Sequence, residues 1–391
     1  MVSELDHLTH LTKLHICIKN AKILPKAKLF ERLESYRVAI GSALFWNETS
    51  ETSRILKLNI ILESDYGYKV LLRKCESLFL GKMKGVKNYL YELDLEGFPC
   101  LKHLKVENND EIQYIIKSMG VRGTVFPILE SIKLQYVNNL ERISYMRTTE
   151  SFCNLRVVKV SNCCQLEFVF SSSMVGCFSH LQEMNVEDCE IMSAIVAIER
   201  EEEIEVNSDD NIMFANLQSL RLRNLLKLKG FLSVVDSLVL FNGKVVFPNL
   251  EELEIKCMDS MKMIWPDQLI LDSFCKLENL TVSNFTNLTN ILPPNMLRTL
   301  QNLKHLKIDS CGSIEEVFEI QRINNVEETH DIAATESLKL INLGKLKHVW
   351  SMDPQGIITF AKLRKIEIRG CSSLKIIFPT SVAKALCNLR S

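Results

Sequence analysis

Two stretches, FPCLKHLKVENNDEIQYI at residues 98–115 and FCNLRVVKVSNCCQLEFV at residues 152–169, lie over each other without a gap. Phe98 is followed by Leu101, Leu104, Val106, Asn109, Ile112 and Ile115. Phe152 is followed at the same offsets by Leu155, Val158, Val160, Cys163, Leu166 and Val169. The pattern starts again at Phe126, Phe178, Phe214, Phe247, Phe274, Leu300, Ile332 and Phe360, with Thr335 a polar lapse in the Ile332 copy, and once more at Leu386. Copies begin 26 to 36 residues apart. Self-similarity at such a period marks a stacked repeat, in which each unit buries its apolar face only against its neighbours.

The centre of each copy, Leu104-Lys105-Val106 for example, alternates with period two and reads as a short strand whose apolar residues point inward. The pattern therefore predicts an α/β leucine-rich repeat solenoid: a horseshoe with a concave parallel β-sheet and an irregular, partly helical convex side. Leu104, Ile132, Val158, Met184, Leu220, Leu253, Leu280, Leu306, Leu338 and Ile366 should stack in register as its core. The leading phenylalanines should stack as a second spine, with Pro99, Pro127 and Pro248 placed before the strands, where no ladder N–H is needed. Where the chain leaves the strand, Asn109, Cys163, Cys189, Cys311 and Cys371 are expected to hydrogen-bond loop backbone. Val137, Leu225, Met258, Phe285 and Leu343 cannot, and their repeats should have less regular outer segments.

Helical outer segments are expected at Ser171–Phe178, Pro293–Leu300 and Pro379–Leu386, each opening on Ser or Pro. Longer connections fall at Glu199–Asn211, Ser233–Val246 and Glu319–Asp331; the first, EREEEIEVNSDD, is acidic and reads as a solvated loop. Leu8, Leu11, Leu14 and Ile16 form an early copy, and Leu29, Leu33, Tyr36 and Val38 a weaker one. Ile55–Ile61 and Ser77–Leu80 read as further strands of the same sheet. The chain thus reads as one repeat domain over residues 1–391: irregular repeats at 1–97, regular repeats at 98–385 and a cut repeat at 386–391. With that last copy cut, Leu374, Ile377 and Leu386 are expected to lack a covering neighbour.

Composition narrows the function. The formal net charge of −1 on 391 residues argues against a global electrostatic grip on nucleic acid or acidic membrane. No apolar run has the length of a signal sequence or a membrane span. The 13 cysteines are odd in number and form no C-x-x-C, which speaks for a reduced, cytoplasmic setting rather than zinc or a disulfide framework. In that setting the N-x-[ST] triplets at Asn47, Asn279, Asn284 and Asn287 would be inert. There is no G-x-x-x-x-G-K-[ST], G-x-S-x-G or H-E-x-x-H, so no catalytic, cofactor or metal residue is nominated and an enzyme is not expected. His103 and His305 read as strand-surface residues, and Trp265 and Trp350 as spine packing.

The candidate site is the slot between the two inward residues of each strand. Down the array it reads Lys105, Lys133, Lys159, Asn185, Arg221, Glu254, Thr281, Lys307, Lys339 and Glu367. Lys105, Lys133, Lys159, Arg221, Lys307 and Lys339 are basic, and the first three should form a stripe able to dock an acidic protein surface. Exposed strand positions also favour long charged side chains, so a plain solvated face is the alternative reading.

The F-P-x-L-x-x-L-x-V-x-x-C/N copies, together with LLRKCESLFLGKMKGVKNYLYELDLEGFPCLKHLKVENNDEIQYII at 71–116 and IFPTSVAKAL near the end, resemble the repeats of plant disease resistance proteins of the coiled-coil, NB-ARC, leucine-rich repeat type. The resemblance implies an intracellular immune-receptor region that senses a pathogen effector or a guarded host protein, or restrains the receptor's own nucleotide-binding domain. The coiled coil and the phosphate loop have no counterpart in these residues, so nucleotide binding is not carried over. A substrate-recognition repeat adaptor of a ubiquitin ligase is the second reading, since such repeats also place cysteine after the strand.

Overall fold

A computed structural model describes residues 3–20, 27–41, 52–61, 68–85, 90–94, 96–117, 124–144, 150–198, 211–233, 238–266, 272–319, 334–353 and 362–388. The chain divides into two compact units, Met1–Leu181 and Gln182–Ser391. In the first, seven strands pair in parallel in chain order: β1 (Lys13–Ile18), β2 (Ser35–Gly41), β3 (Arg54–Asn59), β4 (Ser77–Gly81), β5 (His103–Glu107), β6 (Ser131–Gln135) and β7 (Val157–Ser161). The irregular early copies thus continue the ladder, as their leucine spacing predicts. The second unit repeats the arrangement with β8 (Glu183–Glu187), β9 (Ser219–Arg223), β10 (Glu252–Lys256), β11 (Asn279–Ser283), β12 (His305–Asp309), β13 (Ser337–Ile341) and β14 (Lys365–Arg369). The fold is a leucine-rich repeat solenoid.

The fixed offset becomes a fixed register. Leu104 pairs with Ile132 and Ile132 with Val158 in the first unit; Met184, Leu220, Leu253, Leu280, Leu306, Leu338 and Ile366 form the matching row in the second. From Leu104 to Leu338 these residues are buried. Ile366 departs from the expectation: it is 44% exposed, because no further described strand packs over β14. For the same reason Ile377 is 40% exposed. The side chain of Leu386 lies outside the described residues.

A second spine runs beside the first. Phe98 stacks on Phe126 at 5.2 Å and Phe126 meets Phe152 at 5.9 Å; in the other unit Phe214 stacks on Phe247 at 5.4 Å and Phe247 meets Phe274 at 5.2 Å. Trp265 joins this packing against Phe241 and Phe274, and its indole N–H donates to the Ile291 carbonyl at 2.6 Å. Trp350 stacks on Phe318 at 4.2 Å.

The turn off each strand has a different cause from the one expected. Asn109 does bind loop backbone: its Oδ1 accepts from the N–H groups of Glu111 and Ile112, each at 3.0 Å. Cys163 reaches the Ser161 carbonyl at 3.6 Å, and Cys311 the Asp309 carbonyl at 3.5 Å. Of the repeats with an apolar residue there, three nonetheless carry an outer strand, Arg142–Ser144 after Val137, Gly230–Leu232 after Leu225 and His348–Trp350 after Leu343, whereas those of Met258 and Phe285 show only isolated bridges at Met263 and Leu292. The common element is the residue just before the slot, which adopts positive φ: Asn108, Tyr136, Asn162, Asp188, Asn224, Cys257, Asn284, Ser310, Asn342 and Gly370. That conformation suits Gly, Asn and Asp, so the sequence favours the turn whatever fills the next slot.

The outer side also carries more strand than expected. Tyr114–Ile116 pairs with Arg142–Ser144 in the first unit; Ala194–Ala197 pairs with Gly230–Leu232 and Glu316–Phe318 with His348–Trp350 in the second. The three expected helical segments are present, a 3-10 helix at Ser172–His180, α-helix Pro294–Thr299 with proline in its first turn, and α-helix Thr380–Asn388; α-helices Ala27–Arg32 and Lys69–Lys74 of the first unit are unexpected. The acidic connection at 199–210 and most of that at 319–331 lie outside the described residues.

Candidate functional site

In the first unit, the pleat that turns Leu104 and Val106 inward turns Lys105 to the open face, and the register repeats this on β6 and β7. Lys105 pairs with Lys133, and Lys133 with Lys159. At a strand separation of about 4.8 Å, three cationic side chains lie side by side. Lys133 is exposed, and Lys105 and Lys159 are half-buried along their stems.

The same slot continues backwards through β4 and β3, where Phe79 pairs with Lys105 and Lys57 with Phe79. Sequence reasoning missed these two residues. Lys57 is largely buried, with its ammonium 4.6 Å from the centre of the Phe79 ring, a cation–π geometry. The signal was present in the triplets Leu56-Lys57-Leu58 and Leu78-Phe79-Leu80, whose middle residues occupy the same slot. The column of the first unit therefore reads Lys57, Phe79, Lys105, Lys133, Lys159.

Acidic groups border the column. Glu107 holds the Lys105 ammonium at 3.0 Å. Glu76 is engaged elsewhere, accepting from the N–H and hydroxyl of Ser53 and the N–H of Arg54. Burial works to raise its pKa, but these hydrogen bonds and the Arg54 charge outweigh it and hold the carboxyl below the usual range. His103, next to the column, hydrogen-bonds the Ser131 hydroxyl at 2.9 Å. Burial lowers its pKa, and the nearby Lys102 and Lys133 add to that effect against Glu130 and Glu76, so the imidazole favours its neutral form.

In the second unit the slot reads Asn185, Arg221, Glu254, Thr281, Lys307, Lys339, Glu367. Arg221 stands apart from the lysines, with Glu254 and Thr281 between it and Lys307. Its guanidinium meets Glu252 at 2.8 Å and Glu254 at 3.8 Å, while Arg223 bridges Glu254 and Glu187. The Glu252 carboxyl is pushed up by burial, but hydrogen bonds from Arg221 and Ser219 prevail and hold it low. Lys307 and Lys339 are neighbours, and Lys307 lies 3.4 Å from Asp309. This face is a lattice of opposite charges, whereas the first unit's column joins three lysines and an aromatic ring. The structure thus brings Lys105, Lys133 and Lys159 together, pairs Lys307 with Lys339, and ties Arg221 into an acidic network.

Parallel strands, a phenylalanine spine and a positive-φ turn residue thus recur at fixed offsets in both units. A family model, plant disease resistance protein RPS2-like leucine-rich repeats, matches residues 128–256 and 249–391, more than half of the sequence. The chain belongs to this family. Lys133, Lys159, Arg221, Lys307 and Lys339 of these plant disease resistance repeats lie inside the matched residues; Lys57, Phe79 and Lys105 precede them. No curated protein gives a significant match. Leucine-rich repeats of this kind are protein-interaction modules. Among the described residues no helix is long and apolar enough to cross a membrane, and no cluster of His, Cys, Asp or Glu is arranged to hold a metal ion.

Proposed function

We propose that this chain is the effector-sensing and autoregulatory repeat region of a plant intracellular immune receptor, a non-catalytic recognition surface working in the cytoplasm. Its partner is a protein with an acidic docking surface: a pathogen effector, a guarded host protein or the receptor's own nucleotide-binding domain. The observation that carries the reading is the in-register row Lys105, Lys133, Lys159, continued by Phe79 and Lys57, on one open sheet face of a family member. The lysines supply association rate and specificity through charge, and Phe79 supplies an anchor of the aromatic kind enriched at binding hot spots. Arg221 contributes less, because Glu252 and Glu254 already answer its charge, and Lys307 and Lys339 make a row of two rather than three.

The test places the chain behind a coiled-coil and nucleotide-binding region from the same receptor family and expresses the fusion in leaf cells. The unaltered repeat region should keep the fusion silent. Reversing Lys105, Lys133 and Lys159 to Glu together should release its cell-death output, while the same reversal at Lys229, Lys262 and Lys276 should not. Equal output from all three fusions, at equal protein levels, would overturn the reading.

A further inference from the structure

Apart from the lysine column, the first unit holds a pair of sulfurs in contact. Cys153 follows the spine residue Phe152, and Cys177 precedes the spine residue Phe178 of the next copy, within the 3-10 helix Ser172–His180. The stacking of successive copies brings the two side chains together, with Sγ to Sγ at 2.6 Å. A second contact holds the same two segments: His180 Nδ1 lies 3.0 Å from the Cys153 carbonyl oxygen, so the ring donates there. A disulfide has its sulfurs about 2.05 Å apart, so bond formation here needs only a small side-chain movement.

The two thiols differ in access. Cys153 is partly exposed. Cys177 is buried in an apolar seam with Phe152, Phe170, Met174 and Phe178 that has no room for a water. Other cysteines of the fold are set up differently. Cys163 and Cys311 point at the carbonyls of Leu134 and Val282, and burial pushes their thiols up to about 12 and about 11. Cys164 is next to Cys163 in sequence but faces the Asn138 amide. Buried, protonated thiols of that kind are inert structural groups.

We propose that Cys153 and Cys177 form a reversible disulfide site that staples two successive repeats under oxidising conditions. In a reduced compartment such a bond is transient and redox-sensing. With hydrogen peroxide as oxidant, the accessible Cys153 thiolate attacks a peroxide oxygen. An S–O bond forms, the O–O bond breaks and hydroxide leaves, giving a sulfenic acid. The Cys177 sulfur then attacks that sulfur: the S–S bond forms, the S–O bond breaks, and the departing hydroxide takes the thiol proton as water. Two thiols and one peroxide yield one disulfide and two waters, and the two electrons lost by sulfur reduce the peroxide. A small dithiol reverses the step by exchange. This inference is independent of the partner-binding reading.

The experiment uses the full chain, reduced, freed of reductant, exposed to hydrogen peroxide, quenched with N-ethylmaleimide and mapped by peptide mass spectrometry. The expected result is a peptide pair linked through Cys153 and Cys177, cleaved by dithiothreitol, at doses that leave Cys163 and Cys311 as thiols. Because the fold holds the sulfurs at contact, the link should form at least about tenfold faster in the folded chain than in urea. Cys153→Ser, with its fold checked by circular dichroism, should abolish the link and leave Cys177 slow to alkylate. The proposal is overturned if the folded chain gives only sulfenic or sulfinic acid at Cys153 without the link, or links no faster than the unfolded chain.

Discussion

Lys133 sits between two lysines, and their mutual repulsion works against the stability of the strands that carry them. Lys105 and Lys159 are its in-register neighbours on either side. With ammonium groups splayed to about 6 Å, repulsion in water is about 0.7 kcal/mol per pair before screening. Screening leaves about 0.6 at 0.01 M salt, about 0.3 at physiological salt and about 0.1 at 1 M. Glu107, 3.0 Å from the Lys105 ammonium, weakens one of the two pairs. Replacing Lys133 by Gln keeps a long stem on the strand and removes the charge. It should therefore stabilise the strands around β6 by about 0.5–1 kcal/mol at low salt and by almost nothing at 1 M, within the range for like-charge cross-strand pairs. Amide hydrogen exchange of β5, β6 and β7 is the suitable assay, because a repeat array opens locally and a single melting point averages over it. A side chain kept at a cost to stability is what a binding role requires. Unchanged or lower protection in Lys133→Gln at low salt, or a gain that does not fade as salt is added, would refute the repulsion between these lysines.

Three further outcomes follow from the same contacts. Asn109→Ala should destabilise the first unit by about 2 kcal/mol in urea titration, since the buried N–H of Ile112 and the half-buried N–H of Glu111 lose their acceptor, whereas Val137→Ala should leave the turn hydrogen bonds intact. Tyr136→Asn should raise stability by about 0.5–1 kcal/mol, because Tyr136 holds φ 53° and is 45% exposed, so little packing is lost; a decrease would show that the ring, not the backbone, sets that position. Glu76 has a depressed pKa in the folded state, so its contribution is complete above the unfolded value of about 4.3 and disappears as pH falls through the folded value. Unfolding midpoints measured from neutral pH to below 4 should fall more steeply for the unaltered chain than for Glu76→Gln, and parallel curves would refute the assignment.

The repeat, the strands of the open face, the inward rows and the slot holding Lys105, Lys133 and Lys159 were legible in the amino-acid order. All of these follow from one fixed offset acting on the two-residue alternation of a strand. Lys57 and Phe79 were equally readable in principle, but the irregular spacing of the early copies hid that they share the slot. The turn residue was readable too, since Asn, Asp and Gly recur just before the Asn/Cys position; attention to side-chain hydrogen bonding placed the cause one residue too late. Tertiary structure decided what depends on which side chains meet across repeats of unequal length. The Glu252 carboxylate reaches Arg221 only because β9 and β10 are neighbours, although 31 residues separate the two in sequence. The exposure of Ile366 and the meeting of Cys153 with Cys177 belong to the same class. Periodicity says which face a residue occupies; distance, burial and pairing between faces come from packing.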